Sequence, residues 1–166
     1  MTDTSARFAL PLLQPGQAQK EMFHNEALTL LDIALHGVVE SIGDNDPPST
    51  PAFGVCWVVG PAPTEAWAGR ADHIAGWTAG GWRFVAPVPG MALWLRASGV
   101  WVRFDGAAWS IGIVPALAVH VSGQQVVGAR QPAIAEPAGG SVVDGEARAA
   151  VASILAALRA HGLIMA

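Results

Sequence analysis

Tyrosine is absent from the chain, lysine occurs once, at Lys20, and cysteine occurs once, at Cys56. A single cysteine excludes an intramolecular disulfide framework and any multi-cysteine metal site. Charge is scarce as well: 13% of the 166 residues are charged, against roughly 25% in an average soluble domain. The net charge is −4. A sequence-general nucleic-acid binder needs a basic stripe to neutralise phosphates, so no nucleic-acid partner is expected. No apolar run reaches the roughly 18 residues of a membrane span. The longest, residues 111–121, is broken by Gly112, Pro115 and His120. The N-terminus lacks the basic segment and long apolar segment of a secretory signal. Neither membrane insertion nor signal-directed secretion is expected.

What is present is apolar surface. Hydrophobic residues make up 52% of the chain, enough to exclude global disorder. So few charges leave too little polar surface to coat a monomer of this size, and part of the chain is expected to face protein.

Composition divides the sequence into an extended arm (1–16), a long helix (17–42), a linker (43–53), a Trp-rich β-domain (54–118), an extended Gly/Pro-rich connector (119–143) and a C-terminal helix (144–166). The expected class is α+β. Pro11 and Pro15 keep the arm out of a helix. From 17 to 42, Glu21, Asn25, Thr29, Asp32, His36 and Glu40 form one narrow polar stripe, and most other positions past Ala27 are apolar. A helix with a polar stripe in place of an apolar one is expected to be buried on several sides, in part by neighbouring copies. At the other end, Asp144 reads as an N-cap and Gly162 as a C-terminal stop. An isolated Ala-rich helix of about 16 residues is marginal in water. Leu10, Leu12 and Leu13 of the arm, Leu28, Leu31 and Leu35 of the first helix, and Val151, Ile154 and Leu158 of the last are therefore the expected assembly interface. Both ends are expected to dock outside their own β-domain, on sister subunits or other partner proteins.

All seven tryptophans lie between Trp57 and Trp109. Short β-forming runs at 54–60, 82–86, 91–96 and 100–104 are separated by turns at Gly80-Gly81, Ser98-Gly99 and Asp105-Gly106, the spacing of an antiparallel hairpin domain. Trp57, Trp82, Trp94 and Trp101 fall within these runs and are expected in the core. Trp67, Trp77 and Trp109 fall in or beside loops. They either cap that core or form a carbohydrate platform, since exposed indoles offer flat apolar faces to sugar rings.

Catalytic patterns are thin. No nucleophile elbow, phosphate-binding loop, dinucleotide fingerprint or zinc-protease helix occurs. The glycines at 76–81 link strand-like segments and lack the helix whose N-terminus would hold phosphate. Cys56 with Asp72 and His73 would make a nucleophile and base, but Cys56 sits in an apolar strand, where thiols are usually inert. Glu21 with His24, or Asp32 with His36 and Glu40, supply too few ligands for a zinc site and are expected on a solvated polar stripe. The Asp105 turn lacks a calcium loop's carboxylate series. No enzyme, cofactor or metal is expected.

The stretch Leu10-Pro-Leu-Leu-Gln-Pro-Gly-Gln-Ala-Gln-Lys-Glu-Met-Phe-His-Asn-Glu-Ala-Leu28 resembles the opening of an uncharacterised domain family of alphaproteobacterial prophages and gene transfer agents. The similarity continues through Ala66-Trp-Ala-Gly69, Ile74-Ala-Gly-Trp77 and Gly80-Gly-Trp-Arg-Phe84. It extends more loosely through residues 126–134, 144–148 and 158–163. The family brings no established catalytic residues. The resemblance implies a component of a virion-like particle, made in the bacterial cytoplasm and released with the particle. Its best slot is the base of a capsid-vertex head spike, with capsid protein, spike fibre protein and further copies of itself as partners. A tail-fibre or baseplate position is the other slot.

Overall fold

A computed structural model describes residues 4–13, 16, 20–142 and 144–165. The end of the expected arm (14, 15), the start of the expected helix (17–19) and Val143 of the connector lie outside the described residues. The chain forms two compact units, Met1–Ile113 and Val114–Ala166. With helices and mixed sheets, the class is α+β.

The first helix, α1, spans Lys20–Ala34, well short of the expected end at residue 42. Its stop is His36-Gly37. His36 takes φ +45°, and a side chain on Gly37 would place Cβ 2.2 Å from Leu93 Cδ2. Beyond that point, β1 (Val38–Val39) and β2 (Ile42–Asp44) replace the expected last turns. Val38 and Val39 are β-branched and pack well on a pleated surface. His36 takes the left-handed conformation here that Gly162 takes after α2, a stop that apolar periodicity does not register.

Two four-stranded sheets follow. One has the order β2-β3-β4-β5, with β3 at Cys56–Val59, β4 at Ile74–Thr78 and β5 at Gly81–Val85. The other has the order β1-β6-β7-β8, with β6 at Ala92–Leu95, β7 at Val100–Phe104 and β8 at Trp109–Ile111. The expected sheet was purely antiparallel. Each sheet instead carries one parallel pair, β2 with β3 and β1 with β6. The reason is connectivity: the chain leaves α1 and lays one short strand on each sheet before the hairpins begin. At the β2–β3 crossing the backbones approach closely, since a Cβ on Gly60 would sit 2.3 Å from Gly43 O.

Strand alternation places Cys56, Val58 and Ile74 of one sheet and Val39, Leu93, Leu95 and Val102 of the other in a single buried cluster with Ile33 of α1. Helix α1 crosses at Gly76, where a Cβ would lie 2.6 Å from Ile33 Cδ1. In the turn after β7, the Ala108 and Ala107 amides donate to Asp105 Oδ1 (2.8 and 2.7 Å) and hold its carboxyl below the usual aspartate range.

The second unit holds a hairpin, β9 (Val119–Val121) and β10 (Gln124–Val127), and helix α2 (Gly145–Ala160). The hairpin lies within the expected connector, on the candidate strands that the sequence offers at 119–121 and 125–129. Its two-residue turn, Ser122-Gly123, has positive φ at both positions (+50° and +78°), matching the right-handed twist of the strands. Asp144 caps α2 by accepting from Ala147 N at 2.9 Å, and Gly162 ends it at φ +71°. Both agree with the sequence. Gln131 bridges Ile164, which folds the chain after α2 back along the connector.

Candidate binding surface

The groups considered for catalysis are not assembled into a site. Cys56 faces the core and its thiol donates to Gly54 O. Asp72 and His73 flank Val59, three residues along β3, and His73 Nδ1 pairs with Ala71 O. Burial pushes the Cys56 thiol up to about 11. Between pH 9 and 11 the unfolded chain therefore releases a proton that the folded chain keeps. Stability falls with rising pH there, by about 1.4 kcal/mol per pH unit. Denaturant melts of wild type and Cys56→Ala across that range should diverge by this slope, and parallel curves would contradict it. Among the described residues, no three His, Cys, Asp or Glu side chains are grouped to hold a metal ion.

Asp32, expected on a solvated polar stripe, is buried. It accepts from Ser5 Oγ at 2.7 Å, Arg7 N at 2.8 Å and Phe8 N at 2.7 Å. Arg7 then donates to the carbonyls of Asp32 (2.6 Å), Ile33 (3.1 Å) and His36 (2.8 Å), the free end of α1. Farther along, Leu13 N donates to Asn25 Oδ1 and Asn25 Nδ2 to Leu13 O. The arm therefore docks on the helix of its own unit. This corrects the expectation that it docks elsewhere, and the cause is a helix end with unpaired carbonyls beside a buried carboxylate. Leu10, Leu12 and Leu13 are half-buried there. Beneath the arm lies a cavity of about 520 Å³, lined by Leu12, Met22, Ile33, Phe53, Trp77 and the Glu26–Arg83 ion pair. Its charged groups already have partners.

The tryptophans divide differently from expectation. Trp67, in the 3₁₀ turn Glu65–Trp67, is fully buried on the face of the first sheet opposite the shared core. Trp57 and Trp82 surround it, and Trp77 packs on Trp82 at 5.0 Å between ring centroids. Among the described residues the Trp67 indole nitrogen has no hydrogen-bond partner, and its ring stands edge-to-face with Trp82. Trp109 lies against Phe104 on the core side of its sheet and donates to Asp72 O at 2.9 Å. Trp67, Trp77 and Trp109 therefore share no exposed platform. The most exposed indoles are Trp94 (36% exposed) and Trp101 (48%), both expected in the core. They face each other across β6 and β7 on the outer side of the second sheet, with ring centroids 5.3 Å apart and planes at 77°. Alternation by two shows which strand residues share a face, but the sequence does not say which face is covered.

The model of a protein family of unknown function, DUF2793, matches residues 24–110. The chain belongs to the DUF2793 family. No curated protein matches it. The DUF2793 span takes in most of α1, both four-stranded sheets and all seven tryptophans, and leaves out the arm and the second unit. Around the start of this span, α1 and the residue after it leave a stripe of apolar side chains in solvent: Phe23 (78% exposed), Ala27, Leu31 (55%) and Leu35 (51%), with Met22 beside them. These positions recur every four residues along one side of the helix. Leu28 is half-buried. In the second unit Val151 and Ile154 are exposed, Leu158 is half-buried, and Leu155 carries the burial of α2.

Proposed function

We propose that this chain is a structural, non-catalytic subunit of a phage-like particle of the gene-transfer-agent kind, an oligomeric adaptor that attaches a spike fibre to the capsid vertex. The observation that carries the reading is the apolar stripe Phe23–Ala27–Leu31–Leu35 on α1. Soluble monomers rarely leave a contiguous apolar stripe of this kind in water, and such stripes mark protein contacts. A second copy of the chain covers it, and the capsid protein and the spike fibre protein are the remaining partners. The resemblance of residues 10–28, 66–69, 74–77 and 80–84 to particle proteins supports the same reading. Cells lacking this chain should release capsids of normal size that carry no spike fibres when viewed by electron microscopy. Particles that keep their fibres would overturn the adaptor role.

A second reading is favoured by the exposed Trp94–Trp101 pair: the unit also touches carbohydrate, such as a recipient cell's surface polysaccharide. Two outward indoles on a rigid sheet offer apolar faces of monosaccharide size at little cost in side-chain freedom.

A further inference from the structure

Trp94 and Trp101 share the outer face of the β1-β6-β7-β8 sheet with two arginines. Arg103 stands opposite Ala92 and two residues beyond Trp101 on the same face, a rise of about 7 Å. Arg96 continues the same alternation past β6, and Glu40, next to β1, pairs with it at 2.7 Å. Arg103 is half-buried and has no ion-pair partner among the described residues. Asp105 continues the β7 alternation on this side, so two arginines stand with two carboxylates. Glu40 is taken by Arg96 and the Asp105 carboxylate by the Ala107 and Ala108 amides, which leaves the Arg103 guanidinium without an ion pair among the described residues. The other strand residues facing outward, Ala92, Val38 and Ser110, are small or part-covered. The result is a flat aromatic strip with one unneutralised guanidinium at its side, where a broad apolar patch for a protein partner would carry aliphatic bulk.

We propose that this face binds an acidic oligosaccharide, with Trp94 and Trp101 against sugar rings and Arg103 holding a ring carboxylate. The inference rests on the glycan reading above and narrows it to sugar acids. A planar guanidinium binds a carboxylate through two parallel hydrogen bonds, which a neutral sugar cannot return. A half-buried Arg103 has less freedom to lose on binding than a fully solvated one.

The full chain should be titrated with a galacturonate hexamer, a hyaluronan hexasaccharide and a neutral cellohexaose, read by calorimetry and tryptophan fluorescence. Saturable binding of an acidic hexamer is expected, weakening as salt rises from about 50 to about 500 mM. Arg103→Gln should lower that affinity about tenfold or more, and Trp101→Ala should abolish it. Near-ultraviolet dichroism of the core aromatics should be retained, because both side chains point away from the shared core. If Trp101→Ala does not fold, Trp101→Phe and Arg103→Gln decide the question. Equal binding of cellohexaose, or an Arg103→Gln protein of unchanged affinity, would overturn the acidic class and leave a glycan-binding face standing. Binding of none of the three would overturn both. The adaptor role is separate from all of these outcomes.

Discussion

Asp32→Ala should lower the stability of the first unit by about 3 kcal/mol and its melting temperature by roughly 10 °C. The carboxylate is buried and takes three donors from the arm: the Ser5 hydroxyl and the Arg7 and Phe8 amides. Removing it strands those donors or peels the arm away, and in the second case Arg7 also leaves the carbonyls at the end of α1. Both routes cost free energy, since an unpaired buried polar group loses its hydration without recompense. Asp32→Asn should fare little better, because an amide NH₂ meets donors where acceptors are needed. Arg7→Ala should cost less, about 1–2 kcal/mol, since water can take over the exposed carbonyls. Thermal melts give the ranking, and limited proteolysis should show residues 4–13 newly cleavable in Asp32→Ala. An unchanged melting temperature with a protected arm would contradict this account of the latch.

The second large effect concerns assembly. If the chain self-associates through α1 as proposed, Phe23→Glu and Leu31→Glu together should leave a folded monomer. Both side chains stand mostly in solvent on α1, so charging them costs the isolated unit little. Across an interface the same carboxylates would be desolvated without partners, a penalty of several kcal/mol each. Gel filtration with circular dichroism separates loss of assembly from loss of fold. A double variant that keeps the wild-type mass would move the interface away from α1.

Much of the fold was legible where local chemistry is decisive. Asp144 and Gly162 mark α2 because a capping carboxylate and a left-handed glycine act within one turn. The hairpins at Gly80-Gly81 and Ser98-Gly99 were readable for the same reason. The end of α1 was not, because an apolar run with β-branched residues fits a buried helix and a strand equally well. His36-Gly37 decided it. Asp32 looked like one member of a solvated stripe; its burial depends on an arm more than twenty residues away, and sequence spacing carries no such information. The tryptophans were sorted by whether they fell in strands or loops. That criterion failed because a strand has two faces, and only packing tells Trp94 and Trp101 from Leu93 and Val102. Trp67 shows the converse: a loop indole filled a gap in the aromatic face of the first sheet.

The claim on which the rest depends is self-association through the exposed side of α1. Multi-angle light scattering of the full chain at micromolar concentration tests it most directly. A single species at a whole-number multiple, two or greater, of the 17.1 kDa chain mass is the predicted result. A well-folded species at the mass of one chain, unchanged as concentration rises, would contradict it.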